Sequence, residues 1–331
     1  RERRSVRKRG RFVLIRRICC GAAAALLLGL GGCGDEKQIQ TEMEYRQTGL
    51  ERMDQGDYQG AIQSFHQALH ERVGIVSNLE VDINFYKAYA QMEDGSTEDA
   101  IASYTAIIEY DDKNADAYYL RGCAYMSVGQ AENAAKDFSQ AASYNKDNGQ
   151  MYAGIYEQLV SAGLLDDAAA YLEQGLKIKG DSAPACLSRG RLYFVSGDYE
   201  KAESELNAAL DQKLATANLY LGRVFQAQGR NEDAQSYYDA YLKENPNDSA
   251  VLYELGQIAF EEGDYEQAVS WFQEGMACKN VINKRELWSG KIASYEYMGN
   301  FDAARQEMGA YLETYPNDGA AQREYLFLKS R

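Results

Sequence analysis

Only two histidines occur in the chain, His66 and His70. Four residues apart, they fall on one face of a helix, where a pair of imidazoles could hold one metal ion. The pattern is not the H-E-x-x-H of a zinc hydrolase, and the sequence offers no evident third ligand. The pair is therefore read as a solvated helix face, and no metal site is assigned. Gly29-Leu30-Gly31-Gly32-Cys33-Gly34 matches G-x-G-x-x-G letter for letter. It follows no strand and opens no βαβ unit, so it implies no dinucleotide chemistry. A phosphate-binding G-x-x-x-x-G-K and a G-x-S-x-G elbow are both missing from the sequence. Paired carboxylates abound, but among 50 acidic residues they single out nothing. Neither an enzyme nor a bound cofactor is expected.

The elements that would position such residues announce themselves by repetition. Eight glycines, Gly56, Gly95, Gly129, Gly163, Gly197, Gly229, Gly263 and Gly299, are each followed five residues later by an alanine, from Ala61 to Ala304. Nine residues after each glycine stands a large apolar residue: Phe65, Tyr104, Phe138, Leu172, Leu206, Tyr238, Phe272 and Met308. The alanine and this residue are four apart, so they share a helix face. A second glycine often precedes the first by seven, as at Gly49, Gly122, Gly190, Gly222 and Gly256. Mid-helix, it costs about 1 kcal/mol relative to alanine, a cost tolerated where two helices must approach closely. Each unit reads as helix, tight turn, helix, and ends in a polar turn such as Asn245-Pro246-Asn247-Asp248. Units with a period near 34 residues bury their apolar faces only against their neighbours.

Residues 42–318 resemble the tetratricopeptide repeat family on these eight registers. The resemblance implies an all-α fold: a right-handed α-solenoid of about eight helix-turn-helix repeats, with a C-terminal capping helix at 319–331. Repeat starts are expected near residues 42, 81, 115, 149, 183, 215, 249 and 285. Ala88, Tyr156 and Ile292 replace the mid-helix glycine, so wider packing is expected at Tyr156 and Ile292. Ile107, Tyr241 and Tyr311 replace a small residue expected twelve after the turn glycine. Cys123, Cys186 and Cys278 lie in the third, fifth and seventh repeats, too far apart for the Cα separation of under about 7 Å that a disulfide needs. They are read as free thiols packed as small apolar residues.

The N-terminus is of another kind. Residues 1–17 carry nine Lys or Arg and one acid, and Ile18 to Gly32 is apolar and uncharged. A basic start, a short apolar run and small residues describe a secretory signal, here residues 1–32. Leu30-Gly31-Gly32-Cys33 resembles the lipobox of bacterial lipoproteins, which implies lipidation of Cys33 and a protein anchored at the extracytoplasmic face of a cell membrane. Residues 33–41 would then be the lipidated cysteine and a short linker. The linker, Gly34 to Thr41, would reach about 25 Å if extended. Over the whole chain 35 basic residues face 50 acidic ones; without residues 1–32 the balance is 26 against 49, or −23. Nucleic acid is not an expected partner, because phosphate binding needs Lys/Arg surfaces.

In the family the first helix of each repeat lines a concave groove. The lining stripe falls thirteen, ten, six and three residues before the turn glycine, a helical spacing. Its candidates here are Phe85, Tyr89, Met92, Tyr119, Met126, Leu187, Arg191, Phe194, Leu219, Arg223, Tyr253 and Phe260. These are expected to stand free of the inter-helix packing, with Arg191 and Arg223 able to grip a carboxylate or backbone carbonyls. The function expected is a membrane-tethered scaffold or adaptor that binds a peptide or helix of another envelope protein. The alternative is a lipoprotein that captures a small molecule or glycan for a transporter or wall enzyme.

Overall fold

The computed structural model describes residues 33–71, 76–278, 281, 283–316 and 318–330. The expected signal at 1–32 lies outside them, as does the side chain of Cys33. Seventeen helices and no strand occur among the described residues. They divide into two compact units. The first holds the described residues up to Asp181 together with Arg191–Gly197, and the second holds Ser182–Gly190 and the described residues from Asp198 onward.

In the first unit the hairpins are α1 (Cys33–Asp54) with α2 (Tyr58–Glu71), α3 (Asn78–Asp94) with α4 (Thr97–Tyr110), α5 (Ala115–Ser127) with α6 (Ala131–Tyr144), and α7 (Gly149–Ser161) with α8 (Leu165–Leu176). Helix α9 (Ala183–Ser196) is shared between the units. The second unit continues with α10 (Tyr199–Asp211), α11 (Thr216–Ala227) and α12 (Asn231–Glu244). It closes with α13 (Ser249–Glu261), α14 (Tyr265–Met276), α15 (Lys284–Tyr297), α16 (Phe301–Thr314) and α17 (Gly319–Leu328). From α1 to α8, and again from α10 to α17, each helix packs on the next.

The turn glycine makes each hairpin possible. All eight adopt φ between +72° and +90°, a left-handed conformation that costs an L side chain roughly 1–2 kcal/mol. The helices that follow a completed hairpin start on short polar caps at α5, α7, α13 and α17: the side chains of Asn114, Asn148, Asp248 and Asp318 accept backbone N–H bonds in the first turn. Ser77 and Glu80 form a reciprocal capping box at α3. Pro184 sits in the first turn of α9, where its missing N–H is harmless.

The core repeats one contact. The alanine five after the turn glycine is fully buried in every repeat, and the large residue nine after it is buried in seven of the eight. That large side chain fills the space left by the mid-helix glycine: a Cβ on Gly122 would fall 2.6 Å from Phe138 Cε1, and one on Gly190 2.7 Å from Leu206 Cγ. The fourth repeat has Tyr156 in place of that glycine, and its Leu172 is only half-buried. At Ile292 the residue nine after the turn glycine is Met308, in the same buried cluster.

Two details differ from expectation. Residues 34–41 are not an extended linker; they are the first turns of α1, because Asp35, Glu36, Lys37 and Gln38 are compatible with helix and nothing there breaks it. As helix, eight residues rise about 12 Å. The C-terminal helix ends at Leu328, and it buries Ala321 and Leu328 but exposes Leu326 (66 %) and Phe327 (53 %). Cys123 and Cys186 are buried and Cys278 is half-buried, and none of the three is in a disulfide. No described helix is long and apolar enough to cross a membrane.

Candidate functional site

The stripe expected to line a groove splits into two classes. Phe85, Tyr89, Tyr119, Leu219 and Tyr253 are buried, contrary to the expectation that packing does not require them. Four of these five stand ten before the turn glycine, three residues ahead of the mid-helix position, and so on the same helix face. They pack on the ring that the mid-helix position also meets: Phe85 lies 6.2 Å from Tyr104, Tyr119 6.2 Å from Phe138, and Tyr253 5.6 Å from Phe272. Met92, Met126, Leu187, Arg191, Phe194, Arg223 and Phe260 remain half-buried and present part of their surface.

The cations of the stripe are held differently. Arg191 Nη1 donates to Gln150 Oε1 at 3.0 Å, from the fifth repeat to the fourth within the first unit. Arg223 lies over the Tyr220 ring at 5.5 Å. Burial alone would pull its guanidinium down, but Glu254, the phenols of Tyr220 and Tyr238, and Asp248 outweigh it and hold it above its ordinary value. Arg46, ten before the first turn glycine on the same stripe, is paired with Asp82 at 2.6 Å. Asp116 begins α5 on the same stripe, and burial pushes its carboxyl up.

Other charged side chains hold three of the hairpins together. Arg121 forms a two-pronged bond to Asp137 (2.7 and 2.8 Å), Arg189 forms one to Glu205 (both 2.8 Å), and Lys291 meets Glu307 at 2.7 Å. Each pair is sixteen residues apart and stands eight before and eight after its turn glycine. Trp288 Nε1 donates to the same Glu307 at 2.8 Å, which fixes that indole between helices. Tyr241 and Tyr311, the departures twelve after the turn glycine, donate from their hydroxyls to Asp248 and Asp318 at 2.9 and 2.8 Å. Asp248 caps the first helix of the following repeat and Asp318 caps the C-terminal helix, so each phenol ties its repeat to the next element.

One aromatic group at the rim was not foreseen. Phe260, at the end of the stripe in the seventh repeat, lies 5.3 Å from Tyr265 and 5.0 Å from Tyr297, and those two tyrosines are 5.3 Å apart. Tyr297 is 66 % exposed and Met298 beside it 38 %. Glu261, Glu262, Asp264 and Glu266 are exposed on either side of Phe260 and Tyr265. The signal available in the sequence was the neighbouring-repeat register: Phe260 stands three before its turn glycine and Tyr297 two before the next. Among the described residues no three His, Cys, Asp or Glu converge as metal ligands.

Comparison with known proteins agrees with this geometry. A family profile described as tetratricopeptide repeat matches residues 46–117, 87–150 and 219–277, and a second of the same description matches 159–221. The cell division cycle protein 16 homolog of Homo sapiens is 23% identical over 113 residues, 34% of this chain and 18% of that protein. The DnaJ homolog subfamily C member 3 of Gallus gallus is 25% identical over 148 residues, 40% of this chain and 29% of that protein. The chain thus spans less than a third of the curated relatives it matches. A solved tetratricopeptide repeat protein from Parabacteroides merdae superposes on 77% of this chain and 99% of its own, with 18% identity and a TM-score of 0.47. With eight left-handed turn glycines, eight buried alanines and family matches over more than half of its length, the chain belongs to the tetratricopeptide repeat family.

Proposed function

We propose that this protein is a membrane-tethered, extracytoplasmic scaffold that binds a peptide or helix of another envelope protein along the first helices of its repeats. The family's general role, binding other proteins, is the coarse part of this reading. The observation that carries the finer part is the half-buried remainder of the stripe. Arg223 and Phe260 in the second unit, and Arg191 and Phe194 in the first, are half-buried and keep part of their surface exposed. Partly exposed apolar side chains beside a guanidinium suit a segment that offers both an apolar anchor and a carboxylate or backbone carbonyl. Tethering rests on Cys33 and the lipobox-like residues before it.

Two measurements test this. Cys33→Ala should move the protein from the membrane to the soluble or secreted fraction; continued membrane association of that variant would refute the tether. In-cell crosslinking with mass spectrometry should compare the wild type with a Phe194→Ser, Arg223→Gln, Phe260→Ser variant whose helicity is first confirmed by circular dichroism. A protein captured by the wild type and lost from the variant supports the stripe as the contact surface. Equal capture by both would place the contact elsewhere, and no specific capture would favour a small-molecule ligand.

A further inference from the structure

His66 and His70 are the chain's two histidines, and both lie on the exposed side of α2. Their ring centroids are 5.1 Å apart, with the planes inclined at 53°. Among the described residues neither imidazole has a side-chain hydrogen bond or ion pair. Nothing in the packing of α2 calls for them: its buried side chains are Ala61, Ser64, Phe65 and Ala68. Their exposed neighbours Gln63 and Gln67 show what a merely solvated position on this helix carries.

The ring separation is compatible with a shared metal ion. A Zn–N bond of about 2.0–2.1 Å plus roughly 1.1 Å from nitrogen to ring centre puts each centroid about 3.2 Å from the metal. Two such arms at a tetrahedral angle have centroids about 5.2 Å apart, against 5.1 Å here. Imidazole ligands favour late first-row cations over Mg²⁺ and Ca²⁺, which prefer oxygen. No third protein ligand converges on the pair among the described residues, so the site is an open two-ligand clamp and not a closed structural one.

We propose that His66 and His70 form a bidentate site for a late first-row divalent cation, Zn²⁺, Ni²⁺ or Cu²⁺, with water completing the coordination. The metal would staple one turn of α2 and leave coordination positions facing solvent. This proposal is independent of what the repeats bind.

The test uses the purified full chain, titrated with ZnCl₂ and separately with NiCl₂ in a millimolar excess of Mg²⁺. The magnesium occupies the carboxylates of this acidic protein and leaves imidazole sites open. Binding is read by calorimetry and by the histidine ring resonances in NMR, which are unambiguous because there are two. The expected result is one equivalent bound, with both ring signals shifted or broadened together. His66→Gln and His70→Gln should each weaken binding at least about tenfold, since losing a ligand exceeds the loss of an outer-shell partner. Exposed glutamine is a good helix former, so the variants should keep the wild-type circular dichroism. Three results would overturn the site: no binding, binding of equal strength in the His66→Gln/His70→Gln double variant, or binding that leaves both ring signals unmoved.

Discussion

Gly122 has no side chain because Phe138 occupies the place where one would go. Two effects oppose each other at this residue. Alanine would gain about 1 kcal/mol of helix propensity over glycine. Its Cβ would meet a fully buried ring at 2.6 Å, with the Ala134 carbonyl 3.4 Å away, and overpacking of this kind costs about 1–3 kcal/mol. Gly122→Ala should therefore destabilise the protein by up to about 2 kcal/mol, read as a lower urea midpoint with an unchanged slope. A higher midpoint would mean that the ring moves freely. The second repeat shows that another seating exists, because Ala88 stands in the same register beside a fully buried Tyr104. At this scale the sequence was most legible where one backbone or volume demand admits one residue: the turn glycine, the alanine and the large residue after it. It misled at Phe85, Tyr119 and Tyr253. A helical stripe specifies a face of its helix but not which neighbour that face meets. The small residue three positions on, Ala88, Gly122 or Gly256, was the available clue, since it points at the partner hairpin helix.

At the scale of elements, hairpins are clasped by charge as well as by packing. Arg121 and Asp137 come from α5 and α6, and Asp137 is buried with both its oxygens engaged. Removing one partner of such a pair leaves a buried charge, which costs about 3–5 kcal/mol, whereas replacing both by apolar groups can be nearly neutral. Arg121→Met alone should cost about 3 kcal/mol, and Arg121→Met with Asp137→Leu clearly less. Thermal unfolding of the two variants and the wild type checks this, and a double variant no better than the single would show that the carboxylate needs no cation. These pairs were invisible to periodicity, which sees only within one helix. A separation of sixteen residues acquires meaning once the left-handed turn brings the two helices side by side. Helix starts are set locally where a cap is present: Asn114, Asn148 and Asp248 stand one residue before α5, α7 and α13.

Over the whole molecule, buried phenols make the fold sensitive to alkali. Burial first, and the Asp318 acceptor second, push Tyr311 up to about 12, and burial with Asp167 and Tyr152 does the same for Tyr171. Tyr238 is raised by burial as well. A raised folded-state pKa favours the fold below the unfolded value near 10, and that contribution is lost as pH rises toward the folded value. Phenolate absorbance should therefore grow in two stages. The later stage, from Tyr171, Tyr238 and Tyr311, comes only as helical circular dichroism collapses between about pH 10 and 12. Ionisation of every tyrosine with helicity intact would contradict the burial described. Composition foretold an acidic, proline-poor helical array, and it could not foretell which of 26 tyrosines are locked.

Helix α1 has a mechanical corollary. At 22 residues it is about 33 Å long and runs from residue 33 into the first turn glycine's hairpin without a break. A flexible leash would let the repeats swivel and search a hemisphere of orientations. A continuous rod transmits torque: whatever is fixed at residue 33 sets the heading of the first repeat. Inserting a Gly-Ser pair after Lys37 would turn that stiff lever into a hinge. The change would alter the directions from which the first repeat can be approached while leaving every contact within the repeats as it was.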